Sequence, residues 1–265
     1  MMQWTEEQLR TLICRNGFRL RGLEMTRLEA YTDAAFAFAT TMLIISQSGI
    51  PRSVNDLIGA LKDIPAFLAS FAAITSFWYA HRQWSRRYGL EDGLTTLISL
   101  GLVFVMLIFV FPLKMVYSAL FSWISAGLLP TNFALKNISD LPRLFLIFGI
   151  GFWCLTSLVV LLYIRALRAA DKLLLNSFER LKTIAAAFSF GVLATTGLVS
   201  GMWAGLLPLK WGVWAGFWYC TLPISMPLVA VIFNRKAQHL ISRQQARTRE
   251  TSPLPPATLN RDEKA

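Results

Sequence analysis

Apolar residues gather in six long runs separated by short polar stretches. Each run is close to the roughly 20 residues a helix needs to cross hydrocarbon. They cover Leu28–Gly49, Ile64–Trp84, Leu94–Ser118, Arg143–Ala166, Thr183–Leu207 and Gly212–Phe233. The pattern predicts an all-α integral membrane protein with six transmembrane helices. Pro112, Pro223 and Pro227 fall within runs, and each is expected to kink its helix. Residues 1–27 carry charges throughout and contain no apolar core of the kind a cleavable leader has, so insertion is expected to start from the first span. Within this segment, residues 5–15 read as a short helix with Thr5 as N-cap and Glu6 and Glu7 in the first turn. Asn16-Gly17 then reads as a break. After about Gln244 the chain is polar and carries Pro253, Pro255 and Pro256, so this tail is expected to be disordered. Three sections follow: an N-terminal segment (1–27), a six-helix membrane domain (28–233) and a basic, largely disordered tail (234–265). Residues 28–118 and 143–233 show no internal repeat, which argues against the inverted-repeat plan of many transporters.

Composition agrees with a membrane location. Of 265 residues, 55% are hydrophobic and 15% charged, where soluble proteins carry about 25% charged. The net charge of +11 is explained by its distribution rather than by nucleic acid, which is not expected as a partner. Twenty of the 26 basic residues fall in 1–27, the second-to-third connection, the fourth-to-fifth connection and the tail. Alternation in step with span number predicts that both termini are cytoplasmic. Trp78, Trp84, Trp123, Trp203 and Trp211 lie near span ends as interface anchors would, and Lys114 is placed to snorkel to the outer face.

Little of the chemistry inside the spans is ionisable. The three cysteines (Cys14, Cys154, Cys220) and two histidines (His81, His239) offer no metal-ligand spacing, so no metal or cofactor is expected. There is no Gly-x-Ser-x-Gly, no His-Glu-x-x-His and no pair of intramembrane aspartates, so the chain is not expected to be an enzyme. Glu29 and Asp33 occupy the first turns of span one, and His81 the matching end of span two. Asp33 can therefore reach His81 or Arg27, with Thr32 and Trp78 joining. Such a cluster ties helices together or shuttles protons. Its confinement to one end favours the tie, because a relay needs groups across the bilayer. Helical spacing puts Ala34, Phe38, Thr41 with Met42, Ile45 and Ser48 on one face of span one. That face is either a helix-packing surface or a pore lining with an apolar constriction. In span five, Gly191, Gly197, Gly201 and Gly205 read as close-packing positions.

The run Arg27-Leu-Glu-Ala-Tyr-Thr-Asp-Ala-Ala-Phe-Ala-Phe-Ala-Thr-Thr-Met-Leu-Ile44 resembles the first-span signature of the transmembrane protein 175 family, potassium channels of bacterial membranes and lysosomes. Phe77-Trp78-Tyr-Ala-His81 is similar to the family's second-span Trp-x-x-His motif, and Phe111-Pro112 to its third-span aromatic-proline step. The resemblance implies a homotetramer in the cell membrane, passing potassium ions through a pore lined by the first helix of each subunit, with no carbonyl-loop filter. It puts Phe38 at the main constriction, Thr41 on a threonine ring, and Met42 and Ile45 on further apolar rings. It puts Arg27, Thr32, Asp33, Trp78 and His81 in a network that braces the first helix. The chain departs from the pattern where Tyr31-Thr32-Asp33-Ala34 replaces Phe-Ser-Asp-Gly, and where Phe38 replaces Ile or Leu. A proton-coupled transporter and a non-conducting relative of the channels are the alternative readings.

Overall fold

The computed structural model describes residues 4–45, 52–129 and 139–251. The N-terminal helix α1 (Glu6–Thr11) starts where expected, at Thr5. The Thr5 hydroxyl accepts from the Gln8 amide and the Gln8 side chain accepts from the Thr5 amide, a reciprocal capping box. The Asn16-Gly17 break proves to be the turn of a small antiparallel hairpin, β1 (Cys14–Arg15) and β2 (Phe18–Arg19). Both turn residues have positive φ, 52° at Asn16 and 76° at Gly17. This is the Asn-Gly geometry that suits the twist of two-residue hairpins.

The membrane domain opens with α2 (Arg27–Ile45). A short helix α3 (Val54–Lys62), capped by Ser53, leads through Asp63 into α4 (Ile64–Tyr88) with a 47° bend between them. Pro65 sits in the first turn of α4, where its missing amide costs nothing. Gly89, at φ 56°, ends the helix by returning its amide to the Ser85 carbonyl. Next come α5 (Gly93–Ile124), α6 (Asp140–Arg168) and α7 (Ser177–Leu206). The last run is broken into α8 (Leu209–Gly212), a 3₁₀ helix (Ala215–Thr221) and α9 (Leu222–Thr251). Among the described residues, five helical stretches are long and apolar enough to cross a membrane, and the bent α3–α4 pair makes six.

Pro112 and Pro227 lie inside continuous helices, and Pro223 is the second residue of α9. α9 also runs on through Thr251, past the apolar stretch, so the segment from 234 is helical to that point. Arg, Lys, Gln and Ala dominate it, all good helix formers, and the first proline comes only at 253. The remainder of the predicted tail lies outside the described residues.

The core lies between α2, α4, α5 and α6, filled by Phe36, Leu43, Ile74, Leu102, Phe109 and Leu155. The most extensive helix pairing is α6 with α7. It depends on glycine: a Cβ at Gly149 would stand 2.7 Å from the Gly197 carbonyl oxygen and from the Gly201 backbone. Of the four span-five glycines, Gly197, Gly201 and Gly205 therefore do pack closely on α6, while Gly191 faces open space.

Two positions differ from expectation. Trp84 is 1% exposed and donates its indole N–H to the Leu162 carbonyl at 2.9 Å; it is a core residue, not an interface anchor. Lys114 does not snorkel. It is buried, with its ammonium 3.3 Å from an Asp63 carboxylate oxygen, because Asp63 at the α3–α4 bend supplies a counter-charge at that depth.

Candidate functional site

The site begins with how α2 starts. Thr26 caps the helix: its hydroxyl accepts from the Glu29 amide at 3.1 Å. Thr26-x-x-Glu29 has capping-box spacing, but the Glu29 carboxylate turns instead to the Arg86 guanidinium on α4, 3.2 Å away. From there α2 divides into two sides. Glu29, Thr32, Phe36, Ala39 and Leu43 recur at intervals of three and four and are buried, which turns one stripe of the helix into the bundle. The opposite side holds Ala34, Phe38, Thr41 and Ile45, all exposed. Phe38 is 55% and Ile45 65% accessible. Met42 is half-buried against the core, at the margin between the sides. Ser48 lies outside the described residues. The Thr41 hydroxyl donates to the Ala37 carbonyl at 3.2 Å and the Thr40 hydroxyl to the same oxygen at 2.7 Å. Each hydroxyl proton is thus satisfied within the helix, and the Thr41 oxygen lone pairs stay on the exposed side.

The expected polar cluster is present in part. Trp78 Nε1 donates to Asp33 Oδ1 at 2.8 Å, joining α4 to α2. His81 does not meet Asp33 through a hydrogen bond; its Nε2 pairs with the Ser99 hydroxyl of α5 at 3.0 Å, and the ring is buried. Thr32 is buried but donates to the Glu29 carbonyl of its own helix at 2.9 Å. Arg27 is exposed and, among the described residues, pairs with no carboxylate. The cation that braces α2 is Arg86. Besides Glu29 it holds the Leu23 carbonyl at 2.9 Å through Nη1. Sequence reasoning missed it, although Trp78, Arg82 and Arg86 follow at four-residue steps on one face of α4. Arg82 completes that stripe, its guanidinium 5.3 Å from the Trp78 ring centre.

Two further carboxylates form ion pairs at the same end of the bundle. Asp92, in the α4–α5 connection, accepts two hydrogen bonds from Arg165 of α6, at 2.7 and 3.0 Å, and one from the Thr95 hydroxyl. Burial alone would push its carboxyl up, but the Thr95 and Arg165 hydrogen bonds and the Arg165 charge outweigh this and hold it below its ordinary value. Glu179, in the first turn of α7, receives Arg19 and Arg21 from the hairpin. Among the described residues no group of histidine, cysteine and acidic side chains is arranged to hold a metal.

These features define a class first: a multi-span α-helical membrane protein whose first long helix is braced on one side and bare on the other. A family model described as "Endosomal/lysosomal potassium channel TMEM175" matches residues 27–112, the stretch that contains α2, the Trp78–Asp33 bond and the Arg86–Glu29 pair. The chain is 30% identical over 236 residues to a potassium channel of Marivirga tractuosa, covering 84% of this chain and 94% of that one. It is also similar to a variant of the potassium channel MtTMEM175, solved by crystallography in complex with a Nanobody–MBP fusion protein. The TM-score there is 0.71 at 27% identity, covering 84% of this chain and 98% of the other. The chain belongs to the TMEM175 family.

Proposed function

We propose that this protein is a passive potassium channel, built as a homotetramer in which the exposed side of α2 from each subunit lines a central pore. The observation that carries this reading is the division of α2 itself. One stripe is fixed to α4 and α5 by packing, by Trp78–Asp33 and by Arg86–Glu29, while Phe38, Thr41 and Ile45 are exposed. A bare apolar face on a braced helix is what symmetric association around an axis would cover.

In that arrangement Phe38 forms the main constriction. A ring of phenyl groups excludes water at the narrowest point and obliges a passing ion to shed part of its hydration shell. Potassium holds its shell less tightly than sodium, so partial dehydration favours potassium. Thr41, one turn further along, presents oxygen lone pairs that replace some of the lost water. Met42 and Ile45 extend the apolar lining beyond it. The predominance of basic residues in alternate connections supports cytoplasmic termini and a cell-membrane location.

The test is flux from liposomes reconstituted with the purified protein, potassium against sodium, with empty liposomes as control. Potassium-favouring flux is expected, and Phe38→Ala raises it while weakening its selectivity. Equal currents in Phe38→Ala and the parent, with unchanged selectivity, would remove Phe38 from the pore.

A further inference from the structure

The hairpin that precedes the family-matched segment is bound to the bundle more firmly than a terminal segment needs to be. Phe18 is buried and stands edge-on to Tyr88 with ring centres 5.6 Å apart. Arg21 has a fully buried side chain, with Nη2 2.9 Å and Nη1 3.2 Å from the two Glu179 carboxylate oxygens. Its Nε donates to the Leu173 carbonyl at 2.9 Å. Arg19 adds its backbone amide and its guanidinium to the same carboxylate, at 2.9 and 3.1 Å. A buried Arg–Glu–Arg cluster gains little net stability, because desolvation of the charges offsets their attraction. What it does enforce is a position.

That position is passed to α2. One residue after Arg21, the Gly22 amide donates to the Arg86 carbonyl at 3.1 Å. The approach is so close that a Cβ on Gly22 would lie 2.4 Å from the Ser85 carbonyl oxygen. Arg86 then returns along its side chain to the Leu23 carbonyl and to Glu29 in the first turn of α2. From Glu179 to Glu29 the route is unbroken: ion pair, two residues of backbone, hydrogen bond, ion pair.

We propose that the hairpin is a latch that positions the N-terminal end of the pore-lining helix. Arg21 and Glu179 fasten it to α7, and Arg86 conveys its position to Glu29. The proposal rests on the reading that α2 lines the pore. Arg21 and Arg86 are positioning residues; neither touches the ion.

The experiment uses the full chain in liposomes. Arg21→Ala unfastens the latch at α7. Arg86→Gln leaves the hairpin docked but cuts the link to α2, so it carries the test if Arg21→Ala does not assemble. Each variant is expected to change potassium flux by about threefold or more in the same direction. The double variant should go no further than the larger single effect, as for two cuts in one chain of contacts. Hydrogen–deuterium exchange should rise in residues 27–33 in both variants while α6 is unaffected. Arg10→Ala, on exposed α1, leaves flux unchanged. If Phe38→Ala alters flux and both latch variants do not, or if their effects add, or if exchange rises in the hairpin but not in α2, the latch is overturned and the pore reading stands. If Phe38→Ala is silent as well, the pore reading falls and the latch falls with it.

Discussion

The α6–α7 seam and α2 solve the same problem in opposite ways. Both are apolar helices that cannot leave every face to lipid. At the seam, Gly149, Gly197 and Gly201 bring two backbones together, and the close contact maximises the dispersion attraction that drives helix association where no hydrophobic force separates protein from lipid. The seam is finished within one chain. On α2 only half the circumference is finished, and the other half offers large side chains at over 50% accessibility. Small residues close an interface inside the subunit; bulky ones leave a face of α2 uncovered by it. A helix in a bilayer is thus read by residue size along each face as much as by hydropathy.

The sharpest test of this contrast exchanges two phenylalanines on the same helix. Phe36 is 3% exposed and Phe38 55%. Phe36→Ala leaves a cavity and is expected to cost about 4 kcal/mol in thermal or denaturant unfolding of the detergent-solubilised protein. Phe38→Ala should cost within about 1 kcal/mol, with its effect appearing in flux. Equal losses from the two would erase the division of α2 into a bound and a bare side. At the seam, Gly149→Ala forces two backbones apart and should cost about 3 kcal/mol. Gly191→Ala, with nothing within 4 Å of its Cβ, should be neutral or gain up to about 1 kcal/mol from helix propensity. A loss at Gly191 matching that at Gly149 would show that backbone approach is not what the seam requires.

A smaller loss than at Phe36 or Gly149 is expected at the polar end of the bundle. The folded Asp92 carboxyl titrates below its unfolded value, so the Asp92–Arg165 contact contributes its stability at neutral pH and loses it as pH falls through the carboxylate range, from about pH 4 downward. Asp92→Asn should lower stability by about 1 kcal/mol at pH 7, with the difference from the parent shrinking in acid. A difference that stays constant with pH would assign the effect to packing instead of charge.

Much of the bundle was legible because its causes are local. Hydropathy located the spans, and the Thr5 cap depends on residues three apart. Topology placed Asp33 and Trp78 at one end of the bundle, but the partners it offered Asp33 were His81 and Arg27, and the bond Asp33 makes is with Trp78. The contacts that escaped are long-range and carried by residues with a simpler explanation. Arg19, Arg21 and Arg86 counted toward a charge bias at one end, which hid their individual partners. Trp84 stood near a span end, where a buried indole and an anchoring one look alike until its carbonyl acceptor on α6 is known. The Asn-Gly pair did carry a hairpin signal, but the flanking strands are only two residues each and show no alternation to reveal it. The helical course of 234–251 was hidden because hydropathy ends at the bilayer while helix propensity does not.

At the far end of the bundle, the Asp63–Lys114 pair has an electrical consequence. A single charge carried through the whole membrane field does work of about 2.3 kcal/mol per 100 mV. The pair sums to zero and its members are 3.3 Å apart, so the field exerts no net pull on it and only turns a short dipole. A lysine and an aspartate that would each be a sensor alone thus cancel as a pair.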